Sequence, residues 1–239
     1  MRKPWVMALA AGVMVLLVAF ALPLMRMGSP ENALADGAAA DGLPWQVLRL
    51  PEGRSRVFGL ELGRQTLADA QARLGDGMQV ALVARLGDDA ALEALVEPYA
   101  AGFVSGRLVL AFDAPVARRQ AWRDRATGSE PMEGGVRRFH LRAADLAEAR
   151  RSRLVGISFV PTVRLTEEDV RQRFGAPAET LDQPGAQVLL YPELGLSITV
   201  AAGQRGVLQY VAPADFALRL RAPLVAQPRS SAPGPASSR

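Results

Sequence analysis

The chain of 239 residues contains no cysteine and a single histidine, His140, and only Lys3 among its 28 basic residues is a lysine. Without cysteine, disulfides, thiol catalysis and cysteine-ligated metal centres are excluded. One histidine excludes metal sites built from several histidines. The arginines occur in a chain rich in alanine and glycine, which indicates a compositional bias, so their number alone does not indicate function.

The sequence also lacks the nucleophile elbow Gly-x-Ser-x-Gly, the phosphate-binding loop and the dinucleotide fingerprint. Two carboxylate pairs are present, Asp88-Asp89 in an expected loop and Glu167-Glu168 in the expected first turn of a helix. We therefore predict no catalytic, cofactor-binding or metal-binding residue, and infer no small-molecule ligand. A hydrolase that uses two carboxylates across a cleft stays open as an alternative.

Residues 4 to 25 carry no charge and exceed the about 20 residues that a helix needs to cross a membrane. Signal sequences have apolar cores of about 7–15 residues, so the length favours an uncleaved anchor in residues 1–27 over a signal sequence. Arg2 and Lys3 precede this run and only Arg26 follows it. The charge difference predicts a single-pass protein of the bacterial inner membrane, with a cytoplasmic N-terminus and a periplasmic folded part.

Composition divides the rest of the chain. Residues 28–44 are rich in glycine, alanine, proline and aspartate, and we predict a flexible linker. Residues 223–239 are rich in proline, serine and alanine without periodicity, which predicts a disordered tail. A fold is expected between these two segments.

The sequence of this central part contains an internal repeat. Short segments recur in the same order, which predicts two tandem repeats, residues 45–126 and residues 137–222. The matched segments are 54–59 with 151–156, 66–75 with 166–175, 79–83 with 187–191, 106–108 with 206–208, and 114–115 with 212–213.

Each copy contains a signature of a short helix. Thr66 and Thr166 are favourable N-caps, and an aspartate three positions later completes a capping box. An arginine follows each aspartate after four residues, which is the spacing of a helical ion pair, and Gly75 and Gly175 then end the helix. The aspartates and arginines thus have a structural explanation.

Alternating apolar residues follow each helix and predict strands. Leu108, Leu110 and Phe112 share one strand face after an expected turn at Ser105-Gly106, and Pro115 and Pro213 begin a closing helical segment. The predicted fold class is α+β, with an N-terminal transmembrane helix followed by two repeats of a helix packed on an antiparallel meander sheet.

The second copy, from Leu165-Thr166-Glu167-Glu168 to Arg173-Phe174-Gly175-Ala176-Pro177, resembles the small lipoprotein of the outer-membrane β-barrel assembly machine. The tandem arrangement resembles the β-lactamase inhibitory proteins. The resemblance implies a non-catalytic envelope protein that binds another protein. The first copy lacks the proline after Gly75, and the chain lacks the cysteine that carries the lipid.

Positive charge is concentrated between Arg118 and Arg153, a segment with ten arginines and five acidic residues. The extracytoplasmic location argues against a nucleic acid, so an acidic protein partner, an envelope polymer or anionic lipid is expected. The alternative is a solvated helix face with Trp122 against the core. The candidate protein-contact residues are Arg118, Arg119, Trp122, Arg123, Arg137 and Arg138.

Three functions follow from the sequence. The first is a membrane-anchored periplasmic protein that binds another envelope protein, and an exposed apolar patch on the sheet faces would favour it. The second is an accessory subunit of an inner-membrane complex, assembled through the anchor, where Ala8 and Gly12 have the spacing of a helix contact. The third is the periplasmic carboxylate hydrolase, which needs a deep cleft with converging carboxylates.

Overall fold

The computed structural model describes residues 42–85 and 87–226. Thirteen strands and five α-helices lie in these two ranges. The strands are β1 Leu48–Leu50, β2 Arg54–Val57, β3 Leu60–Leu62, β4 Gln79–Arg85, β5 Ala91–Ala101, β6 Val104–Asp113, β7 Gly128–Pro131, β8 Val136–His140, β9 Arg153–Pro161, β10 Glu179–Gln183, β11 Ala186–Tyr191, β12 Leu196–Ala201 and β13 Val207–Tyr210. The helices are α1 Leu67–Leu74, α2 Val116–Asp124, α3 Ala143–Ala149, α4 Glu167–Phe174 and α5 Ala222–Ala226.

The α+β class is confirmed. Ten strands form one sheet in the order β10-β11-β12-β13-β9-β6-β5-β4-β8-β7, and every neighbouring pair is antiparallel. Strands β1, β2 and β3 form a separate small sheet. The described residues therefore combine α-helices with a large antiparallel sheet and a small one.

Residues 4–25, the predicted transmembrane helix, lie outside the described ranges, as do residues 227–239 of the predicted tail. Within the described ranges, no helix has the length and apolar character needed to span a membrane. Two predicted boundaries differ from the structure. Leu43 and Pro44, assigned to the linker, are buried in the fold, and residues 223–226 of the predicted tail belong to α5.

The capping boxes predicted for α1 and α4 are confirmed. In α1 the Thr66 amide donates to Asp69 Oδ2 at 2.8 Å and the Asp69 amide donates to Thr66 Oγ1 at 3.3 Å. The corresponding distances at Thr166 and Asp169 are 2.9 and 3.1 Å. Gly75 and Gly175 end the two helices at φ values of 84° and 80°, a left-handed region that favours glycine.

The main core lies on one face of the large sheet, here called the helix face. It gathers Leu82 of β4, Leu92 of β5, Leu108 of β6, Phe159 of β9 and Tyr210 of β13. Four of the helices pack on this core, and each contributes a buried side chain: Leu67, Trp122, Ala149 and Val170.

The opposite face, here called the valine-rich face, carries a second cluster with Val83, Val109, Val160 and Val207. No described helix residue belongs to that cluster. A third cluster covers the part of this face over β11, where Phe216, Leu220 and Leu224 of the helical stretch that ends the described chain pack with Val188 and Leu190.

Two three-stranded meanders flank the β9–β13 pair, and β8 and β7 extend the sheet beyond one of them. Outward from that pair run β6, β5 and β4 on one side and β12, β11 and β10 on the other. Because all neighbours are antiparallel, a half-turn perpendicular to the sheet relates β4-β5-β6 to β10-β11-β12 in order and direction and keeps α1 and α4 on one face. Under this relation β4 corresponds to β10. The sequence match instead paired residues 79–83 with residues 187–191 of β11.

Candidate binding cleft

A cleft of about 240 Å³ opens on the helix face at the N-terminal end of β6. Its floor consists of the buried side chains of Phe159, Val170 and Leu208. The walls come from the segment before β1, the tip of the β5–β6 hairpin, the β9–α4 loop and α4 itself. Four separate stretches of chain thus meet around one apolar space.

Aromatic residues form one rim of the cleft. Phe103, at the hairpin tip, is 72% exposed, which is unusual for a large apolar side chain in this fold. Its ring centroid lies 5.8 Å from that of Trp45, and Arg173 Cζ lies 4.3 Å from the Trp45 ring centroid. Val163, across the cleft, is 59% exposed. The rim therefore presents large apolar groups to solvent beside a cation–aromatic contact.

The hairpin geometry explains why Phe103 is exposed. The turn lies at Gly102 and Phe103, and the Ser105-Gly106 pair predicted as a turn lies inside β6. Position 106 must be a glycine, because a Cβ there would come within 2.6 Å of the Phe159 ring. The expected face of Leu108, Leu110 and Phe112 is confirmed, since all three belong to the helix-face core.

Polar groups around the cleft are already engaged. Ser105 Oγ lies 3.0 Å from Thr162 Oγ1, and Asp169 is the one carboxylate of the lining. Asp169 Oδ2 accepts hydrogen bonds from the Thr166 hydroxyl at 2.6 Å and the Thr166 amide at 2.9 Å. These bonds lower the pKa of Asp169 below its ordinary value, so this carboxylate stays ionised and committed to the helix cap.

The predicted Asp–Arg ion pairs are not the contacts that the structure shows. Asp69 and Asp169 bond the threonines of their own caps, and Arg173 instead lies over Trp45. Arg73 packs beside Gly59, where an added Cβ would lie 2.7 Å from its Nε. The arginines that follow the caps therefore join each helix to other parts of the fold.

Two of the six predicted contact residues are buried, which corrects their assignment to the surface. Arg119 is 4% exposed and donates from Nε to the Ala90 carbonyl at 2.5 Å and from Nη1 to the Ala114 carbonyl. Burial lowers the pKa of Arg119. Trp122 is 2% exposed in the main core, and its Nε1 lies 3.3 Å from Glu148 Oε2. Trp122 therefore packs against the core, as the alternative to a binding surface predicted.

The other four predicted residues do not form one surface. On α2, Arg118 Nε lies 3.2 Å from Glu148 Oε1, and Arg123 donates to the Asp88 carbonyl at 3.3 Å. On β8, Arg137 donates to Ser129 Oγ at 2.7 Å, and Arg138 donates to Glu130 Oε1 at 3.1 Å. Arg137 and Arg138 are consecutive in a strand, so their side chains point to opposite faces of the sheet.

The remaining candidates for chemistry are dispersed. His140 is half exposed, with Nε2 3.9 Å from Glu130 Oε1. Glu167 pairs with Arg171 and Glu168 accepts from Gln172, as expected for the solvated first turn of a helix. In residues 42–85 and 87–226, no three His, Asp or Glu side chains are grouped as metal ligands.

Unpaired buried polar groups gather on the valine-rich face. Seven residues of the described ranges have a buried side-chain nitrogen or oxygen without a hydrogen-bond partner, and only Arg54 lies outside the large sheet. Alternation along the strands places the other six on the valine-rich face. They are Arg85, Glu93, Arg107, Ser158, Ser197 and Gln209. The sequence analysis did not predict these buried polar side chains.

Comparisons with protein-family models, with curated proteins and with solved structures find no significant match to this chain.

Proposed function

We propose that this chain is a membrane-anchored periplasmic protein of the bacterial inner membrane that binds another envelope protein and is not an enzyme. Residues 4–25 support the anchor and the orientation. The cleft between the β5–β6 hairpin and α4 supports the binding role. The resemblance to the assembly-machine lipoprotein and to the β-lactamase inhibitory proteins points in the same direction.

The observation that carries the proposal is the chemistry of the cleft. Its floor and rim are apolar, and its one lining carboxylate, Asp169, is held by the Thr166 cap. A hydrolase with two carboxylates needs a second acid several ångströms away across the substrate. A surface that receives an apolar side chain needs the exposed aromatic rim that Phe103 and Trp45 provide.

The volume of the cleft favours a protein side chain as its occupant. Small-molecule sites usually measure about 300–1,000 Å³. An apolar cavity of about 150 Å³ already holds a benzene ring. The 240 Å³ present here therefore suits one or two large apolar side chains of a partner.

The proposal includes the tandem organisation. Helices α1 and α4 share the same capping box and the same terminal glycine conformation, and each is followed along the chain by a three-stranded meander, β4-β5-β6 or β10-β11-β12. Both features support two related halves within residues 45–126 and 137–222.

Affinity purification from solubilised membranes, with mass spectrometry of the recovered proteins, tests the binding role. Phe103→Glu places a charge in the rim, so we expect a specific partner to fall at least tenfold in recovery. Leu218→Glu is the matched control, because Leu218 is 48% exposed and does not line the cleft. Equal recovery with Phe103→Glu and with the unaltered chain would remove the cleft from the binding function.

A further inference from the structure

The cleft lies where the described chain begins. Pro44 and Trp45 line it, and Leu43 beside them is 6% exposed. The Tyr210 hydroxyl, itself buried, donates to the Pro44 carbonyl at 2.8 Å. The segment that arrives from the N-terminus is therefore fixed to the fold at the wall of the cleft.

Chain length limits the distance between the cleft and the membrane. Arg26 ends the apolar run and Gly42 is the first described residue, so 42 − 26 gives a separation of about 16 residues. A fully extended chain rises at most about 3.5 Å per residue, which sets an upper limit of roughly 55 Å for this segment. With residues 4–25 in the membrane, the cleft stays within that distance of its surface.

Because the cleft is small, its short distance from the membrane surface matters for binding. Stable protein interfaces usually bury at least about 1,000 Å² in total, and a pocket for one or two side chains buries much less. A partner held in the same membrane is confined to the thin layer that the tethered cleft can reach, so its local concentration at the cleft is higher than that of a partner spread through the periplasm, and this compensates for a small contact. A freely diffusing partner lacks this advantage.

We propose that the cleft binds an aromatic side chain from the periplasmic juxtamembrane segment of an integral inner-membrane protein. Tryptophan and tyrosine are enriched where membrane helices meet water, which is the zone that the tethered cleft can reach. The Trp45–Phe103 ring pair offers aromatic edges and faces for such a side chain. This inference rests on the proposed function and on the proposed anchor.

Photo-crosslinking in intact cells tests the inference. Phe103→p-benzoylphenylalanine places the reactive group in the rim of the cleft in the full-length protein, and Leu218→p-benzoylphenylalanine serves as the matched control. We expect adducts from position 103 only, joined to a periplasmic residue within about 15 residues of a membrane span.

Linker length provides a second measurement on the same protein. Inserting 40 Gly and Ser residues between Ala38 and Ala39 lengthens the tether from about 16 to about 56 residues. The layer that the cleft explores thickens roughly as the square root of tether length, so adduct yield should decrease about twofold. Unchanged yield would overturn the role of membrane closeness.

The outcomes separate the two proposals. An adduct with a soluble periplasmic protein, an outer-membrane protein or a distant domain of an inner-membrane protein overturns the juxtamembrane assignment and leaves the binding function standing. No protein adduct from position 103, or an adduct with lipid or with this chain alone, overturns both.

Discussion

Glu93 is a buried acid in the middle of a sheet. It lies in β5 on the valine-rich face, is 3% exposed, and neither carboxylate oxygen has a hydrogen-bond partner. Burial raises the pKa of Glu93 to about 8, and the positive charge of Arg138 opposes part of that rise. The side chain is therefore mostly protonated in the folded protein at pH 7.

This pKa predicts a loss of stability at alkaline pH. The folded-state pKa exceeds the ordinary value of 4.5, so folding favours the protonated acid. Glu93 leaves the free energy of unfolding unaffected below about pH 4.5, where the acid is protonated in both the folded and the unfolded chain. Between pH 4.5 and 8 the unfolded chain ionises first, so the free energy of unfolding decreases. Above pH 8 the decrease is on the order of 5 kcal/mol. Urea unfolding from pH 5 to 9 measures this effect.

Glu93→Gln should remove that pH dependence, because glutamine has no ionisable carboxyl. Above pH 8 the variant should be more stable than the unaltered chain by several kcal/mol, roughly the amount lost through ionisation. Glu133→Gln is the control, since Glu133 is exposed. Parallel stability curves for the unaltered chain and Glu93→Gln would contradict the assignment.

Arg119 and Arg118 are neighbours in sequence with different surroundings, and their alanine variants should differ accordingly. Arg119→Ala leaves the Ala90 and Ala114 carbonyls without their donor in a buried place, so we expect a loss of about 3 kcal/mol in the free energy of unfolding. Arg118 is 59% exposed in its pair with Glu148, and Arg118→Ala should cost less than about 1 kcal/mol. Denaturant unfolding of both variants checks the contrast, which equal losses would contradict.

At the scale of elements, α1 and α4 depend on their first turns. Both are eight residues long, which is short for a helix to be stable by itself, so caps and packing must hold them. Each has a complete capping box, and each packs a buried side chain, Leu67 or Val170, into the helix-face core. In α4 the same turn also fixes Asp169 at the edge of the cleft.

Removing either cap should destabilise the fold by a similar amount. Thr66→Ala and Thr166→Ala should each cost about 1 kcal/mol, because the N3 amide loses its side-chain acceptor. Thr66→Ser and Thr166→Ser retain the hydroxyl and should cost much less. Gln172→Ala, an exposed position within α4, should change stability by less than about 0.5 kcal/mol. Thermal or denaturant unfolding that ranks Gln172→Ala with the cap variants would contradict this account.

These helix boundaries could be predicted from the sequence because capping is local. The residues that begin and end α1 and α4 lie within ten positions of one another. The cleft could not be predicted, because Trp45, Phe103 and Arg173 are far apart in sequence and meet only through the sheet. The burial of Arg119 likewise depends on the Ala90 carbonyl from another part of the chain.

At the scale of the whole molecule, β9 determines the architecture. It lies between β6 and β13, and its residue Phe159 is opposite Leu108 on one side and Leu208 on the other. Its position joins the strands from β4 to β6 and the strands from β10 to β13 in one ten-stranded sheet. The strand composition predicted an antiparallel sheet, but the order of strands depends on contacts across about a hundred residues. For this reason the sequence match aligned β4 with β11, whereas the strand order relates it to β10.

The absence of cysteine makes one measurement direct, because a single introduced thiol is the only one in the chain. Val163→Cys places a thiol on the exposed rim of the cleft, and Leu218→Cys places one on an exposed surface away from it. The rate of maleimide labelling is then compared between intact cells and purified protein. If a partner occupies the cleft, Val163→Cys should react at least fivefold more slowly in cells, while Leu218→Cys reacts at similar rates in both. Equal rates for Val163→Cys in cells and in purified protein would contradict the account of this chain as a protein that binds its partner through the cleft.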